Sequence, residues 1–361
     1  MAPDYEGGAL SGLFPQLLGH PAPAAASYPI ELDSPAPTVL LLLDGLGWEQ
    51  LVERRPLMPN LSAFEGGPIT TVAPSTTATA LTSLTTGLTP GEHGIVGYRM
   101  MVDGDVLNTL RWGSASQPDA RRTSPPEMVQ PFAPFLGETV PLVSKAEFRT
   151  SGFSKAHLRG GRLVGYRTLS TMMHEVVRLV SEGERLVYAY YDGIDKVSHE
   201  FGLRSEFDFE VAFTDSLVGQ LIEKLPSGTR LIVTADHGQV DCGGGLLPVH
   251  PDVMASVDQL SGEGRFRWLH TSGRVDDLLA AALEHHGHHA WVRSIEQICD
   301  ERWFGRTVRP EVRDRLGDVA LLPFEPIAFD DPADSGPFEL IGRHGSLTSA
   351  EMYVPLLSAM S

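Results

Sequence analysis

Three apolar runs in this sequence end in aspartate: LLLLD closes on Asp44, VYAYYDGID on Asp195 and RLIVTAD on Asp236. Two of them add a histidine, His199 four residues after Asp195 and His237 directly after Asp236, and the stretch GRHGSL offers His344. If Asp195 opens a helical turn, positions i and i+4 share a face, so Asp195 and His199 can grip one ion. Three aspartates and three histidines on one rim suit two divalent cations. Carboxylate oxygen with imidazole nitrogen fits zinc, with manganese or iron as alternatives. Two such ions, roughly 3.5–4 Å apart, stabilise the attacking and leaving oxygens of a displacement. Without cations the clustered carboxylates would repel one another and some would protonate. Taken singly, an aspartate after a strand is most often a helix N-cap, and an Asp/His pair most often lies on the surface. The conjunction, in order and each after a strand, carries the reading. Asp192 competes with Asp195 because it lies nearer the strand, but only Asp195 has the four-residue step to His199.

A nucleophile is expected from VAPSTTATALTSLTTGLTPGEHGIVGY (72–98), where a strand gives way to a helix. A helix N-terminus presents free N–H groups and the positive end of its dipole, which favour a phosphate. A threonine hydroxyl attacks only once a metal or base lowers its pKa. Seven threonines lie between 76 and 89, and composition does not choose among them.

The elements that must position these groups follow from hydrophobic periodicity. Thr38–Leu43 is an unbroken apolar run, as in a strand covered on both faces. Residues 68–74, 185–191 and 229–235 read as further strands. Residues 77–88, 169–183 and 208–225 read as helices, the first rich in threonine and so dependent on packing. Alternating apolar strands and amphipathic helices predict an α/β sandwich around a mostly parallel sheet, and in such sheets ligands bind beyond the carboxyl ends of the strands. Residues 1–36, rich in Pro, Ala and Gly, read as an extended lead-in. The core is expected over 37–242 and 337–361, with 243–336 as an inserted cap subdomain.

With 361 residues, 42% hydrophobic and 20% charged, the chain reads as an ordinary globular protein with ample core. Its formal charge of −18 opposes nucleic-acid binding, although bound cations can reverse the sign locally for a phosphate substrate. Two cysteines, Cys242 and Cys299, with no CxxC, favour a reducing compartment. The first residues lack a secretory pattern and no apolar run is long enough for a membrane, so a cytoplasmic protein without membrane contact is expected. The tract HHGHH (285–289) follows a helical pattern and reads as a solvated helix end, where cationic groups suit the dipole. His93 is expected to stabilise a turn, and Cys242 to be a small buried residue.

Five stretches together, LLLLDGLG, PSTTATALTSLTTGLTPGEHGI, DGIDKVSHEFG, TADHGQVD and GRHGSL, resemble the alkaline phosphatase superfamily, most closely its nucleotide pyrophosphatase/phosphodiesterase branch. They occur in the family's order and lie within residues 38 to 360. The resemblance implies an alkaline-phosphatase-like α/β sandwich with a cap, and a two-metal hydrolase of phosphate esters acting on diester or pyrophosphate bonds of small molecules. The family's nucleophile stands nine residues before the Thr of its TG pair. Thr86-Gly87 therefore implies Thr77 and a covalent phospho-threonine. By the same resemblance Asp44, Asp236, His237 and Thr77 would surround one metal, and Asp195, His199 and His344 the other. Ala80 stands where the phosphodiesterase branch usually carries Asn. The phosphate oxygen would then need another donor, with the Thr77 N–H, Asn108, Arg111 and Lys145 as candidates. A monoesterase, phosphonate hydrolase or phosphomutase on the same frame is the alternative, with cations drawn from Arg99, Arg111, Lys145 and Arg149. A non-catalytic binding protein that keeps the fold is the third reading.

Overall fold

A computed structural model describes residues 1–21, 26–334 and 339–361 of the chain. Its centre is a seven-stranded sheet. In chain order the strands are β1 (Thr38–Leu43), β2 (Glu65–Thr70), β3 (Pro141–Lys145), β4 (Arg162–Tyr166), β5 (Leu186–Tyr191) and β6 (Arg230–Thr234), closed by the last strand, Tyr353–Met360. The spatial order is β2, the last strand, β6, β1, β5, β3, β4. β1 lies between β5 and β6 and pairs parallel with both, Leu41 facing Ala189 on one side and Val233 on the other. β3 continues the parallel arrangement to β4 and β5. Only the last strand runs against its neighbours.

Every residue of β1 is buried. Because alternate side chains point to opposite faces, both faces of the sheet are covered. Leu40, Leu41, Leu42 and Leu43 are fully buried, each worth about 1.5–3 kcal/mol. The covering helices include α1 (Thr77–Thr86), α2 (Leu169–Ser181), α3 (Gly193–Phe201) and α4 (Ser205–Lys224). α4 begins three residues before the apolar periodicity suggested.

The strand expected over 68–74 lies instead over Glu65–Thr70. Within the sheet its neighbour is the last strand, with an isolated bridge from Thr70 to Ala9 on the other side, so its edge position tolerates Pro68. Gly66, at φ +139, lets the backbone pass against Leu356. Within the lead-in expected to be extended, Leu10–Gly12 and Leu13–Leu17 are helical, and Leu10, Leu13 and Phe14 are fully buried.

A second, antiparallel sheet is formed by β7 (Gln259–Glu263), β8 (Phe266–His270), β9 (Ala290–Ser294) and β10 (Val319–Pro323) in the order β7-β8-β10-β9. Its alternation serves two cores. Phe266, Trp268, Ala320 and Leu322 join the main core. Leu260, Leu269, Val319 and Leu321 face a smaller one with Leu278 and Ala282 of the helix Val275–His286. The boundary expected at 336/337 falls outside the described residues. Among the described residues, no helix is long and apolar enough to cross a membrane.

Candidate active site

Parallel strands deliver their carboxyl ends to one rim. Asp44 follows β1 directly, Asp236 follows β6 by one residue, and Asp195 lies in the first turn of α3 after β5. The last strand runs the other way, so its beginning, with His344 upstream, reaches the same rim; Tyr353 pairs with Thr70 at the end of β2. The loop after β2 carries Thr77, the first residue of α1, behind the extended N-cap Thr76.

Gly45 closes the turn after β1. It sits at φ +77, and a Cβ there would lie 3.0 Å from the Asp195 backbone and 2.8 Å from Gln239 Nε2. Only glycine lets β1 and α3 meet this closely. The contact is fixed by the Asp195 N–H donating to the Asp44 carbonyl at 3.1 Å.

Asp44 and Asp236 are buried, and each has one committed and one free oxygen. Tyr190 donates its hydroxyl to Asp44 Oδ2. Asp236 Oδ1 accepts the N–H groups of Gly45 and His237, both at 3.1 Å. Among the described residues, Asp44 Oδ1 and Asp236 Oδ2 are buried without a hydrogen-bond partner. Both face His237 Nε2 at 3.5 Å, and Thr77 Oγ1 lies 3.1 Å from the same nitrogen.

The second group centres on Asp195, whose Oδ1 lies 3.3 Å from His199 Nε2 and 3.8 Å from His344 Nε2. Gln239 Nε2 donates to the same oxygen at 2.6 Å. Donor atoms of Asp44, Asp236 and His237 come within 4.8 Å of one another, as do those of Asp195, His237 and His344. His199 closes no such group at that separation and stands at the edge of the cluster. The rings of His237 and His344 stack with centroids 3.6 Å apart.

All three histidines are oriented alike. His199 Nδ1 meets the Gly342 carbonyl at 2.7 Å, His237 Nδ1 that of Gly238 at 3.1 Å, and His344 Nδ1 that of Ser75 at 2.9 Å. A carbonyl only accepts, so each Nδ1 carries the proton and each Nε2 presents a lone pair to the site. Burial, then the charges of Asp236 and Asp195, push the Asp44 carboxyl well above its usual range, against the Tyr190 hydroxyl. Burial likewise raises Asp236, with His237 opposing and Asp195 adding. Burial and the neighbouring His237 and His199 hold His344 well below the usual imidazole value. Orphaned buried carboxylate oxygens facing imidazole lone pairs are the chemistry of a cation site, and the residues present fit divalent ions with nitrogen and oxygen ligands.

Asp192, the competing carboxylate, is held by two ammonium groups. Lys145 Nζ approaches Oδ1 at 2.7 Å and Lys196 Nζ approaches Oδ2 at 2.8 Å. Burial lowers the Lys145 ammonium below the usual lysine value. Asn108 and Arg111 share a turn, the Asn108 Oδ1 accepting the Arg111 N–H at 3.0 Å, and the Arg111 side chain is exposed. Leu110, between them, borders a cavity of about 230 Å³ that opens on Asp44 and Thr77. Leu81, Leu142, Phe148, Phe153 and Tyr188 line its walls, with Asp192 and Lys196 also on its border. Sequence reasoning missed Tyr190, Gln239 and Lys196. Only for Lys196, one helical turn after Asp192, does spacing carry a signal.

A sequence model described as type I phosphodiesterase / nucleotide pyrophosphatase matches residues 38–167 and 109–346. Among curated proteins, none matches the chain by sequence. Among solved structures, mouse ectonucleotide pyrophosphatase/phosphodiesterase 5 superposes with a TM-score of 0.67 at 16% identity, covering 89% of this chain and 87% of that one. An inactive form of the mouse protein, with a threonine replaced by alanine and in complex with AMP, matches with a TM-score of 0.67 at 15% identity, over 89% and 87% of the two chains. Phosphonoacetate hydrolase from Sinorhizobium meliloti 1021, in complex with phosphonoacetate, matches with a TM-score of 0.65 at 16% identity, covering 90% and 89% of the two chains. At such identities the likeness speaks for the fold, an α/β architecture with a large, mostly parallel central sheet.

Proposed function

Because the chain belongs to the type I phosphodiesterase/nucleotide pyrophosphatase family, and is a phosphoester hydrolase by that membership, we propose that it cleaves small-molecule phosphodiester or pyrophosphate bonds with Thr77 as nucleophile. One observation carries this reading: Thr77 Oγ1, Asp44 Oδ1 and Asp236 Oδ2 all gather within 3.5 Å of His237 Nε2. Asp44, Asp236, His237 and Thr77 would hold one divalent cation, and Asp195, His199 and His344 a second, with zinc the best match to the donor set. When bound, the cations polarise the phosphoryl oxygens, lower the Thr77 hydroxyl pKa and neutralise the leaving oxyanion.

The chain's own groups supply the rest. Thr77 Oγ1 gives up its proton to solvent and forms the bond to phosphorus while the ester oxygen departs with its electron pair; water then attacks phosphorus, losing a proton, and the Oγ1–phosphorus bond breaks as Thr77 Oγ1 takes a proton back. Thr77 opens α1, whose free N–H groups face the developing phosphoryl charge. Tyr190 and Gln239 hold Asp44 and Asp195 in place. The apolar cavity beside Thr77 would take the organic group of the ester, excluding water from it. The AMP held by the mouse relative supports a nucleotide-like ester among the candidates. Two free cysteines support a reducing, cytoplasmic setting.

A second reading, hydrolysis of a phosphonate or a phosphate monoester, draws on Ala80, which brings no amide to the phosphate, and on Lys196 at the cavity border. Comparing bis-p-nitrophenyl phosphate with p-nitrophenyl phosphate separates the two: a higher kcat/KM on the diester is expected. Thr77→Ala is expected to lower turnover at least about a thousandfold. Unchanged turnover would remove Thr77 from the reaction.

A further inference from the structure

Among the described residues, one set of metal-type donors lies outside the active site. His250 caps the short helix α5 (Pro251–Met254), Asp252 lies in its first turn, and His285 lies in the last turn of α6 (Val275–His286). Each offers a donor atom, and the three lie within 4.8 Å of one another. We propose that His250, Asp252 and His285 form a separate binding site for a borderline divalent cation of the zinc class, tying α5 to α6.

The distances carry the argument. His250 Nδ1 and His285 Nε2 approach the same Asp252 Oδ2 at 3.7 and 3.5 Å. These separations are too long for hydrogen bonds. They are close to the roughly 3.3 Å between neighbouring donors around a tetrahedral zinc with bonds of about 2.0–2.1 Å. The two imidazoles lie face to face, centroids 3.7 Å apart and planes within 7°, so their in-plane lone pairs run in parallel planes, and the rings splay apart when both meet one cation. The His250 Nδ1 lone pair accepts the Asp252 N–H at 3.2 Å as the cap of α5, a bond that a cation would replace.

A supporting layer lies beneath. The tract read as a solvated helix end is only partly so, because His286 is buried. Its Nε2 accepts the His250 backbone N–H at 3.0 Å, and its Nδ1 lies 3.2 Å from His289 Nε2. His286 therefore fixes the backbone that presents His250, the role of an outer partner to a ligand. Two nitrogen donors select against magnesium and calcium. Asp252 is largely exposed, leaving room for water to complete the shell. Beneath the site, Val253 of α5 and Leu278 and Ala282 of α6 share the smaller core, so the cation would clamp the helices that cover it. None of the three ligands borders the cavity with Thr77, and the site stands or falls apart from the proposed function.

Calorimetric titration of the full chain with zinc chloride tests it, using the native sequence, Asp252→Asn, His285→Ala and, as the contrast, Asp44→Asn. Asp252→Asn preserves shape at an exposed position, so it reports on binding rather than folding. Expected is one zinc fewer per chain, or at least a tenfold weaker binding step, in Asp252→Asn and His285→Ala. That step persists in Asp44→Asn, and diester hydrolysis by Asp252→Asn stays within twofold of native. An unchanged zinc count and affinity in Asp252→Asn and His285→Ala, or loss of the same step in Asp44→Asn, overturns the site.

Discussion

A buried histidine has two ring nitrogens to satisfy, and where each points decides what it can do. His199, His237 and His344 each give Nδ1–H to a carbonyl and turn Nε2 to the site. His93, from the GEHGI turn, has the opposite tautomer. Its Nδ1 accepts the Ile95 N–H at 3.0 Å, so its Nε2–H donates to Ser83 Oγ at 2.8 Å. This neutral, fully occupied ring stabilises a turn and has no lone pair to spare. Burial, then Arg315 and Arg309, push it from 6.5 down to about 3, and burial pushes His157 down to about 4. The consequence for stability has a definite sign. In the unfolded chain both protonate near 6.5, whereas the folded protein resists until far lower pH, so unfolding takes up protons. The stability they contribute is complete above pH 6.5 and is lost as pH falls toward 4 and then 3. Urea unfolding at stepped pH should show up to about 1.4 kcal/mol lost per pH unit per histidine. His93→Gln should have a shallower acid slope, and an identical slope would count against the assignment.

Elements meet where the second sheet joins the core, at a fully buried ion pair. Arg265, in the turn before β8, donates Nε and Nη2 to the two oxygens of Glu351, each at 2.7 Å. Glu351 lies in the helical turn Ser349–Met352, before the last strand, and its Oε1 also accepts the Ser346 N–H at 2.9 Å. The pair therefore braces the loop that carries His344. Glu351→Ala strands a buried guanidinium and should cost about 3–5 kcal/mol in chemical denaturation. Replacing both partners by leucine and methionine should recover much of that loss, and an equal loss in single and double variants would refute the account. Neither partner signals the other in the sequence, being 86 residues apart. β1 was legible because a strand buried on both faces leaves an unbroken apolar run. β3 and β4, short and set in Pro- and Gly-rich sequence, leave none. The aspartates after β1, β5 and β6 were legible for the same reason as their strands. That Asp192 answers to Lys145 was not, since β3 and β5 become neighbours only in the folded sheet.

On the scale of the whole molecule, residues from Asp44 to His344 bring their acceptors to one place within a chain of formal charge −18. Asp44 and Asp236 are buried with free oxygens and raised pKa values, so the folded chain without cations carries a strain that its unfolded form escapes. A cation that binds only the folded arrangement lowers the free energy of that state by RT ln(1 + [L]/Kd), about 2.7 kcal/mol at a hundredfold excess over Kd. The proposed ligands come from five separated stretches, so the gain would be shared by the sheet rather than confined to one loop. Treatment with a chelator should therefore abolish diester hydrolysis and lower the melting temperature by several degrees, and zinc should restore both. Asp44→Asn removes one repelling charge and one ligand at once. Its chelator-treated form should melt at or above the chelator-treated native protein, while zinc should raise its melting temperature less. Equal zinc-dependent shifts in the two proteins would mean that the ion stabilising the fold does not sit at Asp44.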